Sequence, residues 1–140
     1  MTIIKVLSGL LFAVALASPI AVQAGGEKQH LVLQVSDNDP AKWNLALNNA
    51  ENVQEAFGKE NVEVEIVAYG PGLNMLKADS KVAPRLNRAL DQSVGLIACG
   101  NTMKKMKVTK ADLSGGVQVV EGGLVHIMKR QKEGWNYVRP

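Results

Sequence analysis

Short runs of apolar residues alternate along this chain with longer stretches in which apolar residues recur every three or four positions. Continuous runs of Val, Ile and Leu closed by turn residues are typical of strands that are buried on both faces. The pattern predicts four such strands, at 31–35, 62–69, 94–98 and 117–120, and it makes Trp135 to Val138 a candidate edge strand.

The stretches between these runs predict helices, and the first helix has the clearest boundaries. Asp39 stands at its N-cap, and Pro40 stands at its first position, where the missing N–H of proline costs nothing. Gly58 ends it. Its apolar residues recur at steps of three and four, and this spacing places them on one inner face: Trp43, Ala46, Leu47, Ala50, Val53 and Phe57.

The later helical stretches are shorter. One at 73–77 precedes a better one with Pro84 in its first turn, and another covers 103–107. The last helix carries basic residues near its C-terminus, where the helix dipole favours them, and Gly134 is a natural cap. The inner side of the 82–90 helix is predicted to hold Val82, Leu86, Ala89 and Leu90, and that of the last helix Leu124, Ile127 and Met128.

Strands separated by helices imply parallel pairing through right-handed crossover connections. The sequence therefore predicts a three-layer α/β/α sandwich around a mostly parallel sheet of about five strands. The order of the strands in the sheet does not follow from the pattern.

Residues 1–24 have the features of a cleavable secretory signal peptide. Lys5 supplies a positive start, an apolar stretch follows, and Val22-Gln23-Ala24 places small or apolar residues where a signal peptidase reads. The apolar stretch is shorter than the roughly 20 residues of a membrane-spanning helix, so stable membrane insertion after cleavage is not expected. We expect cleavage after Ala24 and a periplasmic product.

Residues 25–140 suffice for one compact domain with its own core, and not for two. Removing Lys5 lowers the formal net charge from +3 to +2, and aromatic residues are few, so a nucleic-acid partner is not expected. The chain has one cysteine, which excludes an internal disulfide and leaves a free thiol or an intermolecular bond to explain.

Ligands of parallel α/β proteins gather at the carboxyl ends of the strands, where loops and helix N-termini open. Cys99 ends a predicted strand, so the fold alone places it at this edge. The other loops that meet there are Ser36 to Asp39, Tyr69 to Gly72 and Glu121 to Gly123.

The sequence leaves two interpretations of Cys99 open. Gly100 permits close approach of the backbone, and Asn101 or Thr102 can cap a helix whose first N–H groups would point at the sulfur and lower its pKa. Free cysteine is, however, among the most buried residue types, and Cys99 ends an apolar run. A reactive thiol and a packed small hydrophobic side chain both fit.

Other chemistries find less support. Cys99, His30 and His126 lack the spacing of metal ligands, and neither a dinucleotide fingerprint nor a phosphate loop is present, so no metal or cofactor is expected. His126 is interpreted as a residue of the surface or core edge. An asparagine stripe at positions 44, 48 and 52 indicates either solvent exposure or a polar contact between subunits.

Several segments together resemble the DsrE/DsrF-like family, in its small single-domain YchN-like branch. They are LQVSDNDPAKWN at 33–44, LNNAEN at 47–52, VAYGPGL at 67–73, ACGNTM at 98–103 and RQKEGWNYVRP at 130–140. The match spans nearly all of residues 25–140. It implies a flavodoxin-like fold and assembly as a homo-trimer or hexamer.

In sulfur-relay members of this family a cysteine carries sulfur as a persulfide and passes it to a partner protein. The cysteine of ACGNTM matches the usual position, so the resemblance makes Cys99 the candidate sulfur carrier, with thiol or persulfide proteins as donor and acceptor. The expected ligand-binding residues around it are Asp37, Asn38, Tyr69, Gly72, Gly100, Asn101 and Thr102. A non-catalytic ligand-binding or assembly module, with a structural Cys99, is the alternative, and stand-alone enzymatic turnover is doubtful.

Overall fold

The computed structural model describes residues 26–140, and the predicted signal peptide lies outside them. Five strands form one sheet in the order β4-β3-β2-β1-β5, and every pairing is parallel. The strands are β1 Gln29–Val35, β2 Val62–Ala68, β3 Gly95–Cys99, β4 Gln118–Val120 and β5 Asn136–Val138. The four predicted strands and the edge strand are all present.

Four α-helices connect the strands: α1 Pro40–Phe57, α2 Ala83–Asp91, α3 Gly100–Met106 and α4 Gly123–Lys132. Asp39 caps α1 as predicted, since its carboxylate accepts a hydrogen bond of 2.9 Å from the Ala41 N–H. The predicted helix at 73–77 is a 3-10 helix over Gly70–Leu76. Within residues 26–140 no helix is both long and apolar enough to cross a membrane.

The chain order of the strands explains how the layers form. The connections from β1 to β2, β3 and β4 all advance in one direction, and right-handed crossovers then place their helices on one side of the sheet. The connection from β4 to β5 returns across the whole sheet, so α4 lies on the opposite side. The domain is the predicted three-layer α/β/α sandwich.

The side of the sheet covered by α1 and α2, here called the first face, holds the main core. Strand residues such as Leu33, Ile66 and Leu96 are fully buried there. From the helices, the side chains of Trp43, Leu47 and Leu86 close over them, together with Leu73, Met75 and Leu76 of the 3-10 helix and Met103 of α3.

The side covered by α4, here called the second face, holds a much smaller apolar cluster. Its buried members are Val32, Val67, Ile97, Ile127 and Trp135. Two polar side chains are also buried on this face. Gln34 and Glu65 point to it, and each is less than a tenth exposed. One short helix thus covers a five-stranded sheet.

Three inner-face predictions are wrong. Leu124 and Met128 are 55% and 61% exposed, and only Ile127 of the predicted trio is buried. The reason is that α4 turns Gly123, Ile127 and Arg130 toward the sheet, where Arg130 binds the buried Glu65. Phe57 is 50% exposed because it is the last residue of α1 and extends past the sheet.

The asparagine stripe on α1 has an intramolecular partner. Arg85 of α2 donates hydrogen bonds of 2.8 Å to the side-chain oxygens of both Asn44 and Asn48, and it forms an ion pair with Glu51 at 3.1 Å. Asn52 is exposed. Two of the three amides therefore fix α2 against α1 within one chain.

Candidate functional site

Cys99 ends β3 at the carboxyl edge of the sheet and is 6% exposed. Its side chain points to the second face, because Ala98 beside it belongs to the first-face core. The next residue, Gly100, begins α3, and Gly123 at the start of α4 lies against the Cys99 Cβ atom. The sulfur is therefore held where two helices begin.

Opposing influences act on the pKa of Cys99. Burial raises it, whereas the Thr102 hydroxyl and the backbone N–H groups of Gly123, Thr102 and Asn101 favour the thiolate and outweigh burial, so the pKa lies below its ordinary value. The side chain of Cys99 forms no cap hydrogen bond with α3. We therefore interpret these donors as oriented dipoles that act mainly on the charged sulfur.

Thr102 has a second contact that orients its hydroxyl. The Gly70 N–H donates a hydrogen bond of 2.9 Å to the Thr102 oxygen, which leaves the hydroxyl proton free to turn toward Cys99. The prediction that Asn101 or Thr102 caps α3 is wrong, because Cys99 itself occupies the N-cap position. Their N–H groups nevertheless help to lower the pKa of the thiol, Asn101 least, since its N–H also donates a hydrogen bond of 3.0 Å to the Glu121 carbonyl oxygen.

Two glycines provide the space for this arrangement. A Cβ atom at Gly123 would lie 3.1 Å from the Cβ of Cys99 and 3.2 Å from that of Tyr69, closer than side chains normally pack. A Cβ atom at Gly100 would lie 2.9 Å from the Val120 carbonyl oxygen. The sequence pattern placed the 121–123 loop at this edge, but it did not single out Gly123, whose role depends on a tertiary contact.

Not all of the predicted ligand-binding residues surround Cys99. Tyr69, Gly100, Asn101 and Thr102 do. Asn38 lines a separate cavity of about 350 Å³ beside Trp43 and Lys81. Gly72 is buried against the chain at Val35, where a Cβ atom would lie 2.3 Å from the carbonyl oxygen.

Asp37 belongs to the outer rim of the same edge. It forms ion pairs with Lys42 at 3.1 Å and with Arg139 at 3.2 Å, and these contacts lower the pKa of its carboxyl group. Because its charge is already paired on both sides, Asp37 fixes the C-terminal residues to the loop after β1 and offers little free charge to a ligand.

The sequence argument missed a polar cluster on the second face. The Tyr137 hydroxyl donates a hydrogen bond to the side-chain oxygen of Gln34, and the Gln34 amide donates one of 3.2 Å to Ser36. Burial raises the pKa of Tyr69 in the same neighbourhood, as does Tyr137. The sequence contains one indication of this cluster, because Gln34 interrupts the apolar run of β1.

A second polar cluster ties α4 to β2. Glu65 receives hydrogen bonds from Arg130 at 2.6 and 3.0 Å, and His126 lies 2.7 Å from it. Burial raises the pKa of Glu65, but these partners outweigh it, so the pKa lies below its ordinary value. His126 is thus a core-edge residue, as predicted, and no group of three metal-ligating side chains occurs in residues 26–140.

These features define a class, namely a parallel α/β domain with one free cysteine at the carboxyl edge of its sheet. The chain belongs to the DsrE/DsrF-like family, whose model matches residues 29–140. No curated protein matches it.

Solved structures agree with this assignment. A protein of unknown function from Methanobacterium thermoautotrophicum is 34% identical with a TM-score of 0.77, and the alignment covers 81% of this chain and 100% of that one. The ychN protein from E. coli is 14% identical with a TM-score of 0.66, covering 82% and 100% of the two chains. A conserved protein of unknown function from Bacteroides thetaiotaomicron is 14% identical with a TM-score of 0.61, covering 80% and 95%. At 14% identity the likeness is one of fold.

Proposed function

We propose that this protein is an exported DsrE-like carrier that binds or relays sulfane sulfur through Cys99. The observation that carries the proposal is the place of Cys99 at the start of α3, with Gly123 at the start of α4 against its Cβ atom. The donors there hold the pKa of the buried thiol below its ordinary value. A thiolate is the nucleophilic form of cysteine, and burial alone would have suppressed it. The family membership supports sulfur chemistry at this position.

The proposed relay has two transfer steps. In the first, the Cys99 thiolate attacks the outer sulfur of a persulfide donor R–S–SH. The donor S–S bond breaks, its electron pair leaves with R–S⁻, and Cys99 becomes Cys99–S–SH. In the second, a thiolate on an acceptor protein attacks the outer sulfur and releases the Cys99 thiolate. No external oxidant or reductant is consumed, so we assign carrier chemistry and no stand-alone turnover.

In this proposal, the N–H groups of Asn101, Thr102 and Gly123 stabilise the Cys99 thiolate, which the first transfer consumes and the second releases again. Gly100 allows the start of α3 to approach the end of β4 closely, and Tyr69 forms one wall. Asp37, Asn38 and Gly72 shape the surrounding loops without touching the sulfur.

The second candidate function is a non-catalytic ligand-binding or assembly module in which Cys99 only packs. The observation that favours it is the 6% exposure of Cys99, which is typical of structural cysteines. Sulfur transfer through such a residue requires local opening of the loops at 70–72 or 121–123.

Thiol reactivity distinguishes the two functions. The relay predicts that the folded protein is alkylated by iodoacetamide at neutral pH and gains one sulfur atom in intact mass after incubation with a persulfide donor. Because the chain has one cysteine, Cys99→Ser is a complete negative control. Resistance to alkylation together with an unchanged mass would contradict the relay and favour the packing role.

Thr102→Val tests the mechanism by which the thiol is activated. The substitution keeps the shape of the side chain and removes the hydroxyl that acts on the sulfur. We expect the pH midpoint of Cys99 alkylation to move upward in this variant. An unchanged midpoint would mean that the backbone donors alone determine the pKa.

The proposal includes assembly as a homo-oligomer, a trimer or a hexamer. The outer side of α4 supports it, since Leu124, Val125 and Met128 are all more than half exposed and adjacent. Contiguous exposed apolar groups of this kind mark contact surfaces in soluble proteins. Light scattering on the purified protein tests it, and a monomeric mass would contradict it.

Export to the periplasm is the remaining part of the proposal. It is supported by the signal-peptide pattern of residues 1–24. Expression of the full chain in a Gram-negative host should yield a periplasmic protein whose N-terminal residue is Gly25. Retention of Met1 in the cytoplasmic fraction would contradict it.

A further inference from the structure

An open cavity of about 540 Å³ lies beside Thr102, between α3 and the 3-10 helix at 70–76. We call it the Lys105 groove; its walls include Tyr69, Pro71, Asn74, Thr102, Lys105 and Met106. The volume is within the range of small-molecule sites. Two of its wall residues, Tyr69 and Thr102, are also neighbours of Cys99. The sulfur itself does not line the groove, and opening of the 70–72 loop, which forms part of the wall, would join the two.

The chemistry of the walls indicates what kind of molecule fits. Pro71 and Met106 present apolar surface, and Met106 is 38% exposed. Lys105 supplies a cation that has no ion-pair partner in residues 26–140. Asn74 and Thr102 add hydrogen-bonding groups. A small anionic molecule with an apolar body matches this combination of groups, whereas a cation does not.

We infer that the Lys105 groove binds a low-molecular-weight organic persulfide that bears a carboxylate, with the carboxylate on Lys105 and the sulfur atoms directed past Thr102 to Cys99. This inference rests on the proposed function and names its donor. The step is the first transfer described above: the outer sulfur joins Cys99, and the donor leaves as a carboxylated thiolate. Lys105 is a binding residue and takes no part in the bond changes.

The test measures sulfur loading of Cys99 by intact mass as a function of donor concentration. Lys105→Gln should raise the half-saturating concentration of glutathione persulfide about threefold to fivefold, the effect of losing one exposed ion pair. The maximal loading rate should stay unchanged. The matched control is Lys104→Gln, because Lys104 is an exposed neighbour of equal charge that does not line the groove.

A donor without a carboxylate separates binding by Lys105 from other effects of the substitution. Loading by the persulfide of 2-mercaptoethanol should be the same in the parent protein and in Lys105→Gln. Equal effects of the two lysine substitutions, or no effect of either, would overturn the groove as the donor site. Loading only from a protein-bound persulfide would also overturn it, while leaving the relay intact.

A binding measurement keeps the inference testable if the relay itself fails. S-methylglutathione cannot transfer sulfur, and its binding to Cys99→Ser can be followed by calorimetry. Saturable binding that Lys105→Gln weakens and Lys104→Gln does not would support the groove even if Cys99 never gains sulfur. Absence of binding would overturn the groove independently of the relay.

Discussion

The two faces of the sheet are stabilised in different ways. On the first face, apolar side chains from α1, α2 and the 3-10 helix at 70–76 close a continuous core. On the second face, α4 adds one fully buried apolar residue, Ile127, and is otherwise fixed by the ion pair of Arg130 with Glu65 and the hydrogen bond between His126 and Glu65. Cys99 points to this second, more polar face, so α4, which acts on its sulfur through Gly123, is a helix that buries a single large apolar side chain.

The difference shows for which kind of helix the apolar pattern does not predict the buried side. A helix that packs on apolar strands repeats its inward residues at helical spacing, and α1 follows this rule. In α4 the apolar residues at positions 124, 125 and 128 face outward, because the inward side must meet a buried carboxylate. Contiguous exposed apolar residues on a helix are the feature on which the proposed assembly rests.

The largest expected effect is a core substitution on the first face. Leu47→Ala removes a side chain that is 2% exposed within the main core and should lower the free energy of unfolding by about 3–4 kcal/mol. Ile127→Ala on the second face should cost less, about 2 kcal/mol, since the smaller cluster beside it can relax. Urea unfolding of both variants measures the difference. Equal losses would contradict the contrast between the faces.

The second effect comes from the ionic anchor of α4. Glu65→Gln leaves Arg130 with only the exposed Glu133, at 2.9 Å, as a carboxylate partner and should lower the free energy of unfolding by about 2 kcal/mol at pH 7. Glu63→Gln is the matched control on the same strand. The Glu63 side chain is 45% exposed, and its contact with His30 is a long one of 3.6 Å. We expect the control to change stability little.

The pH dependence of Glu65→Gln sharpens this test. Because folding lowers the pKa of Glu65 below its ordinary value of 4.5, its stabilisation is complete above that pH and is lost as the pH falls through the folded-state value. The stability difference between parent and variant should therefore shrink below about pH 4.5. A difference that stays constant down to pH 3 would show that the ion pairs contribute nothing.

The same contrast explains how much could be predicted from the sequence. The strands and α1 follow from apolar runs, an N-cap and a proline, which are local signals. The position of Cys99 followed from topology, because the carboxyl ends of parallel strands meet at one edge. The contacts of Gly123, Gln34 and Glu65 could not be predicted, because each depends on a residue distant in sequence and on a strand order that the pattern does not contain.

A smaller effect is expected where α2 joins α1. Arg85→Ala removes the hydrogen bonds to Asn44 and Asn48 and should cost about 1 kcal/mol, since the guanidinium is partly open to solvent. Arg88→Ala, an exposed position on the same helix, is the control. If light scattering finds an oligomer of the parent protein that dissociates in Arg85→Ala at unchanged stability, the asparagine stripe contacts a subunit.

The smallest expected effect on stability comes from a substitution that tests the outer side of α4 as a contact surface. Met128 is 61% exposed, so Met128→Glu should change the free energy of unfolding of a single chain by less than about 0.5 kcal/mol. In an assembly that buries α4, the added charge would be desolvated without a partner, and subunits should separate. Leu45→Glu is the matched control, because Leu45 is a 46% exposed apolar residue on α1. Light scattering should give a reduced mass for Met128→Glu and the parental mass for Leu45→Glu. The reverse result would place the contact between subunits on the helices of the first face. The outer side of α4 would then have no role in assembly.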